Sequence, residues 1–569
     1  MKAGPQTSIV FTKVSKLNSP AKFLGRASGQ SRRDLLLQSG LAGIAASGLA
    51  AVKKVEAAAP ASVPNASAAS ASGGEVYRAI GVNPVINARG TFTIITGSET
   101  LPEVKRAMDE ASRSYVQMDE LMDAVGKQLA ELTGAEWGIV TAGCCAALTH
   151  TTAACLAGTN PERMQRLPDL TGLKSEVIIP EYSRNVYDHA IRMLGVKVVE
   201  VNDPSELDAA FNERTALVYI LAGPGDTGPL GTQVISEAAK RHNVPVIVDA
   251  AAEILTIPNV HLQRGASAVA YSGGKCIRGP QAAGLLLGEK NLLQAAWANS
   301  APHHAFGRSL KVGKEEIMGM LAATEMWKKR DHDAEWKQWQ RWLEQISTSV
   351  MRVPGITTRV QDPEGLSNRT PVLHVEWNGN QLGITGQEVS KVLLDTEPRI
   401  VLGGATGTRP ERMESSVSVT PYMMMPGDSK IVAERLYAVL AKPPKFENPP
   451  VASGEPVSVT GQWQAELQFV RGSALHTLIF EQHGDTLVGT HQGEFVSGDL
   501  SGKVTGNQVR FRSSQKIQGQ RLNYEFTGTV DGDKIAGNIN LAEYGEASWT
   551  AQRHQYRMQG GAARPIKKA

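Results

Sequence analysis

The chain has 569 residues, more than one ordinary domain holds, and 41% of them are hydrophobic against 20% charged. That balance excludes wholesale disorder, a collagen-like repeat and a polytopic membrane protein. The formal charge of +3 is concentrated near the N-terminus: residues 60–569 carry 50 Lys/Arg against 54 Asp/Glu, so the body of the chain has no global attraction for nucleic acid.

Residues 1–59 read as an export signal. Residues 1–33 hold seven basic side chains and no acidic one. Arg32-Arg33 then precede the uncharged, Gly/Ala-rich run Leu35–Val52, and Ala57-Ala58-Ala59 offers small residues for cleavage. The pattern predicts a twin-arginine signal peptide and an exported, periplasmic protein with no stable membrane span after cleavage. An uncleaved signal acting as an anchor is the alternative. Residues 60–76, rich in Ala, Ser and Pro at their start, read as a linker.

From 77 to 335, helical patterns alternate with short apolar runs. Strand candidates are Gly138–Thr141, Glu176–Pro180, Val196–Val201, Ala216–Leu221, Pro245–Asp249, Ala268–Tyr271 and Gly284–Leu287. Such alternation predicts an α/β domain built on a mostly parallel, seven-stranded sheet. Residues 314–350 read as one long helix, with Trp327, Trp336, Trp339 and Trp342 as a packing face. Residues 336–441 are expected to form a small α+β domain, with strands near Pro371–Glu376 and Val417–Thr420 and a closing helix around Asp428–Leu440. Residues 442–456 form a proline-rich linker.

The last segment has another rhythm. Gly484-Asp485, Gly506-Asn507 and Gly532-Asp533 each precede an alternating strand, which predicts an antiparallel, barrel-like β-domain over residues 457–553. It contains no nucleophile–base pair and reads as an accessory binding or stabilising module. Residues 554–569 are a basic tail. Four cysteines are too few for a disulfide framework, and no Cys/His cluster has ligand spacing, so no metal site is expected.

Three features carry the chemistry. Ser272-Gly273-Gly274-Lys275 follows a buried strand, where partial desolvation favours the neutral, nucleophilic amine. Asp249 ends another apolar strand and is followed by three alanines; a carboxylate there needs a cation, and a protonated pyridine nitrogen would supply one. Thr141-Ala142-Gly143-Cys144-Cys145 runs from a strand into a helix start whose amides suit a phosphate. Each alone has a plain structural explanation: a turn lysine, a helix cap, an ordinary strand–helix turn. Together, in the order cup, Asp, Lys, they indicate pyridoxal 5′-phosphate (PLP) in an aspartate-aminotransferase-like fold. Gly143, Cys144, Cys145, Asp249, Ser272 and Lys275 are the candidate cofactor residues, with Lys275 and Asp249 catalytic.

Ile86-Asn87-Ala88-Arg89-Gly90-Thr91, Tyr187-Asp188-His189-Ala190-Ile191-Arg192 and the stretch from Ser272 through Gly279-Pro280-Gln281 resemble the selenocysteine synthase (L-seryl-tRNA selenium transferase) family, whose relatives include D-glucosaminate-6-phosphate ammonia-lyase. The resemblance spans roughly residues 77–440. It implies a fold type I homodimer or larger homo-oligomer with the active site at the subunit interface, and Lys275 as the Schiff-base lysine. Arg89, Arg278 and Arg399 are candidates to clamp a substrate carboxylate or phosphate. Asp188 and His189 are candidates to orient the cofactor, and Tyr182, Arg184 and Asn185 lie where a group must cover its ring. With an export signal and a slightly acidic body, a small amino substrate is expected rather than tRNA. The expected reaction is that of a lyase, or of a β-eliminating or β-substituting transferase, on an amino acid or amino sugar. Selenium transfer itself, or a catalytically silent PLP fold of the cell envelope, are the alternatives.

Overall fold

The computed structural model describes residues 74–448 and 454–555. The expected export signal over residues 1–59, and the tail beyond residue 555, lie outside the described residues. The chain enters through β1 (Ile86–Ala88) and then builds the seven-stranded sheet: β2 (Trp137–Thr141), β3 (Glu176–Pro180), β4 (Lys197–Val201), β5 (Thr215–Leu221), β6 (Val246–Asp249), β7 (Ala268–Ser272) and β8 (Gly284–Gly288). Each lies within one residue of its predicted span. The strand order is β2-β8-β7-β6-β5-β3-β4, and only β8 runs against its neighbours. Every residue of β2, β3, β6 and β8 is buried, as continuously apolar strands in a sheet covered on both faces must be.

The reversed strand positions the chemistry. Gly284 on β8 pairs with Thr141 on β2 and with Ser272 on β7, so the phosphate cup and the lysine turn leave the same row of the sheet. A Cβ on Gly284 would lie 2.4 Å from the Gly143 carbonyl carbon; only glycine lets the helix Gly143–Ala157 start this close. One row along, Asp249 at the end of β6 pairs with Leu221 of β5 and Ala270 of β7.

The small domain has its own core of Leu343, Ile346, Leu373, Val375, Val417 and Leu436. Its antiparallel sheet has the order β12-β10-β9, built from β9 (Thr357–Gln361), β10 (Val372–Asn378) and β12 (Glu414–Val419). Separately, β11 (Ile400–Leu402) pairs in parallel with β1, and the helix Asp428–Ala441 closes the unit. One expectation is corrected. Residues 314–350 form two helices, Lys314–Lys329 and His332–Val350. Arg330 is extended, and its guanidinium holds Glu335 at 2.8 and 2.9 Å and the Cys276 carbonyl at 3.2 Å. Asp331 then caps the second helix through the Ala334 amide.

Residues 461–553 close into an eight-stranded antiparallel barrel: β13 (Gly461–Gln468), β14 (Ser473–His483), β15 (Thr486–Gln492), β16 (Ser497–Thr505), β17 (Gln508–Ile517), β18 (Gln520–Asp531), β19 (Lys534–Asn540) and β20 (Glu546–Arg553). Gly484, Gly506 and Gly532 each take a positive φ at the first position of a two-residue turn, the type II′ pattern. Trp463, Phe480, Phe511, Phe526 and Trp549 fill the barrel, with Leu487, Val509, Ile535 and Ile539 among them.

Candidate active site

Asp249 is 2% exposed and fully engaged. Its Oδ1 accepts from the Ala251 amide at 3.0 Å and from Cys144 Sγ at 3.5 Å, and its Oδ2 accepts from the Tyr219 hydroxyl at 3.0 Å. Burial pushes its carboxyl above the ordinary range; the Ala251 amide, Tyr219, the charge of Lys275 and Cys144 all pull it back. A cationic partner against this carboxylate would reverse the cost of burial, and the pyridinium nitrogen of PLP is such a partner. Tyr219 was not singled out from the sequence. Its signal was a tyrosine inside the aliphatic strand Ala216–Leu221, because a buried hydroxyl must find a partner.

The phosphate end fits as well. The helix Gly143–Ala157 begins without any side-chain cap. Gly143 has φ +81, and the space where its Cβ would stand is open. An uncapped helix start with no side chain in that space lets a dianion approach its amides. Lys275 leaves the Gly273-Gly274 turn, half-buried, and its charge acts on Asp249, Cys144 and Cys145. A Cβ on Gly273 would lie 2.7 Å from the Pro280 carbonyl and 2.8 Å from that of Ala283, so the turn carrying Lys275 is packed backbone to backbone. Ser272 ends β7 beside it. Burial raises the thiols of Cys144 and Cys145, and that of Cys276 to about 12, which favours the protonated form over a reactive thiolate.

Beyond this nucleus, the predicted residues divide. Asn185 Nδ2 donates to the Tyr219 hydroxyl at 3.0 Å, which links the segment after β3 to Asp249. Asp188 is wholly buried between Arg184 and Arg192, 2.7 Å from each, so it anchors this segment. Tyr182 donates to the Leu230 carbonyl. Arg89 lies with its guanidinium over the Phe92 ring and makes no ion pair among the described residues, which leaves it available to an anion. Arg278 donates to the Glu99 carbonyl, and Arg399 to those of Leu394 and Asn83. Both guanidiniums bind backbone and make no hydrogen bond or ion pair with the side chains of Asp249 or Lys275, although the Arg278 amide donates to the Lys275 carbonyl at 2.9 Å.

Two further features surround the site. Asp226, Glu253 and His261 form a buried group with the spacing of metal ligands. His261 Nε2 shares a hydrogen bond with Glu253 at 2.6 Å, and its Nδ1 stands 3.5 Å from Asp226 Oδ2 with neither of those two atoms hydrogen-bonded among the described residues, which brings together the loops that follow β5 and β6. A cavity of about 470 Å³ opens beside Cys276, lined by Trp327, Trp336, Trp339, Tyr422, Arg330 and Arg369. The tryptophan face is therefore in part a cavity wall.

Known proteins give the class. Residues 103–309 match the aminotransferase class-V family. D-glucosaminate-6-phosphate ammonia lyase of Salmonella typhimurium is 28% identical over 374 residues, covering 63% of this chain and 96% of the relative. A 5′-C-glycyluridine monooxygenase-decarboxylase of Streptomyces is 32% identical over 358 residues, 60% of this chain and 82% of the relative. L-seryl-tRNA(Sec) selenium transferase of Proteus mirabilis is 23% identical over 290 residues, 44% of this chain and 58% of the relative. A solved structure of D-glucosaminate-6-phosphate ammonia-lyase is 26% identical, with a TM-score of 0.57 over 64% of this chain and 98% of that one. Fold, site and relatives together define a PLP-dependent enzyme of fold type I. The chain belongs to the family that includes these ammonia lyases and selenium transferases.

Proposed function

We propose that the enzyme acts on a small amino acid or amino sugar, removing or replacing a substituent β to the amine. Bound PLP supplies an electron sink for the pair left behind when a bond at the substrate Cα breaks. Asp249, held by Tyr219 and the Ala251 amide, keeps the pyridine nitrogen protonated and so sets the strength of that sink. Lys275 Nζ would hold the cofactor covalently and, as a free amine, would be the base placed to take the substrate Cα proton. The helix start at Gly143–Cys145 anchors the phosphate, and Arg89 is the guanidinium left to take a substrate anion. The observation that carries this reading is the buried Asp249 carboxylate at the same carboxyl-terminal end of the sheet as the turn that carries Lys275.

A second reading, oxidative decarboxylation of an amino acid, is favoured by the 32% identity to the Streptomyces monooxygenase-decarboxylase. One screen separates them. Purified enzyme is first reduced with borohydride and mapped; a pyridoxyl label on Lys275 is expected, and label on another lysine overturns the site. A separate, unreduced sample is offered amino acids and amino sugars. Ammonia and keto-product release supports elimination, carbon dioxide release with oxygen uptake supports the second reading, and no product from the unreduced, PLP-loaded enzyme overturns both.

The same reading has the protein exported and homo-oligomeric, without a nucleic-acid partner, supported by Arg32-Arg33 and the acid excess of residues 60–569. Replacing Arg32 and Arg33 with lysine is expected to hold the precursor in the cytoplasm; unchanged export overturns the twin-arginine route.

A further inference from the structure

The barrel is not joined to the catalytic domain by its linker alone. The tip of its β17–β18 hairpin, Gln518-Gly519, has φ +47 and +77, the paired left-handed geometry of a type I′ turn. It rests on the segment that leaves β3. Gln518 Oε1 accepts from Arg184 Nη2 at 3.0 Å. A Cβ on Gly519 would lie 2.8 Å from the Asn185 amide nitrogen and 3.1 Å from the Arg184 carbonyl carbon, so the two backbones touch. Lys516 adds an exposed ion pair to Glu181 at 3.7 Å.

The segment under this tip reaches the chemistry in two steps. Asn185 donates to the Tyr219 hydroxyl, and Tyr219 donates to Asp249 Oδ2, each at 3.0 Å. Arg184 is 5% exposed at its side chain and is held by Asp188, by Glu200 and by the barrel's Gln518. The neighbouring barrel turn, Ala542–Tyr544, is tied to the hairpin by Gln520 Nε2, which donates to Glu543 at 3.0 Å. Burial pushes the Tyr187 phenol up, and the carboxylates of Asp249 and Glu543 add to the rise, so Tyr187 is within electrostatic reach of both the cofactor cradle and the barrel rim.

We propose that the barrel is a positioning element of the active site: its β17–β18 tip holds the Glu181–Asp188 segment, and through Asn185 and Tyr219 it sets the Asp249 carboxylate. Gln518 and Gly519 are positioning residues that touch neither cofactor nor substrate. The inference rests on the PLP reading of Asp249 and Lys275. It goes beyond it because the solved ammonia-lyase is matched over 98% of its length by 64% of this chain, which leaves about a third of the chain without a counterpart there.

The test uses the full-length chain, stripped of cofactor and titrated with PLP, reading affinity and the pH midpoint of the visible band of the lysine-bound cofactor. Gly519→Val forces a branched side chain into a left-handed position against Asn185. Gln518→Lys sets a cation against Arg184, and Gln518→Glu keeps an acceptor for it. Gly532→Val strains a turn at the far end of the barrel, where the added Cβ meets nothing within 4 Å. Gly519→Val is expected to weaken PLP binding by about 10-fold or more and to move the midpoint, since small misplacements at a polar site cost about that much. Gln518→Lys should follow it more mildly, whereas Gln518→Glu and Gly532→Val should match the wild type. If Gly519→Val fails to fold, Gln518→Lys against Gln518→Glu decides. Native affinity and midpoint in Gln518→Lys or in folded Gly519→Val, or equal losses in Gly532→Val, overturn the proposal. A wild type that binds no PLP overturns the cofactor reading instead.

Discussion

At the scale of single residues, the site was legible where the chemistry follows a strand end. Lys275, Asp249 and Gly143 stand at the carboxyl ends of apolar runs, and a carboxylate or amine there needs a reason. Tyr219, Asn185 and the destinations of Arg278 and Arg399 were not legible, because their partners are set by which strands become neighbours. Asp249 makes a prediction with a sign. Burial raises its folded pKa above the ordinary 3.8, so the folded protein without PLP binds a proton there that the unfolded chain has released. Stability of that form therefore falls as pH rises from about 3.8 through the raised value, and the loss persists at pH 7. Asp249→Asn removes the charge, so without PLP it should melt at or above the wild type at pH 7, with the gap closing at low pH. With PLP the order should reverse, because the variant lacks the pyridinium partner. Turnover should drop by about 10²-fold or more, the scale of breaking a buried ion pair. Differential scanning with and without PLP checks this, and a variant stabilised by PLP as much as the wild type would move the role elsewhere.

At the scale of elements, strands were easier to read than helix ends. Continuous apolar runs located all seven sheet strands, whereas the break at Arg330-Asp331 was hidden in a pattern that stays helical on both sides. The break exists because Arg330 turns to bind the Cys276 carbonyl, one residue from Lys275, which no local pattern encodes. Likewise the pattern Asn185–Leu194 suggests one helix. The chain instead makes a 3-10 turn over Val186–Asp188 and a short helix over His189–Arg192, pinned by the buried Asp188. Asp331 caps the helix that leads into the small domain, its side chain accepting from the Ala334 amide at 2.9 Å. Asp331→Ala should therefore cost about 1 kcal/mol of unfolding free energy. Urea denaturation of the full chain measures it; an unchanged midpoint would mean that Arg330 alone holds the junction.

At the scale of the whole molecule, the two-part architecture was readable from two different hydrophobic rhythms, but the contact between the parts was not. A glycine at a hairpin tip reads as a turn residue; that Gly519 also presses on Asn185 is a fact of docking. The remaining whole-molecule question is assembly, and the surface supplies an argument. Val76, Ile80, Ile94 and Tyr115, all within residues 76–115 of the catalytic domain, are 72%, 75%, 83% and 102% exposed. Where such apolar side chains join into one patch, the stretch marks an interaction surface. It also borders the lysine turn: the Ser98 amide donates to the Gly274 carbonyl at 2.9 Å, four residues after Ile94. A second copy covering Ile94 would therefore brace the loop that supports Lys275. Light scattering should give at least twice the chain mass, which is 60.9 kDa before any cleavage. Ile80→Glu with Ile94→Glu should shift the protein toward a monomer and weaken PLP retention, because a buried unpaired carboxylate opposes association. A monomeric wild type, or a monomeric variant that holds PLP as tightly as the parent, would show that the active site is complete within one chain.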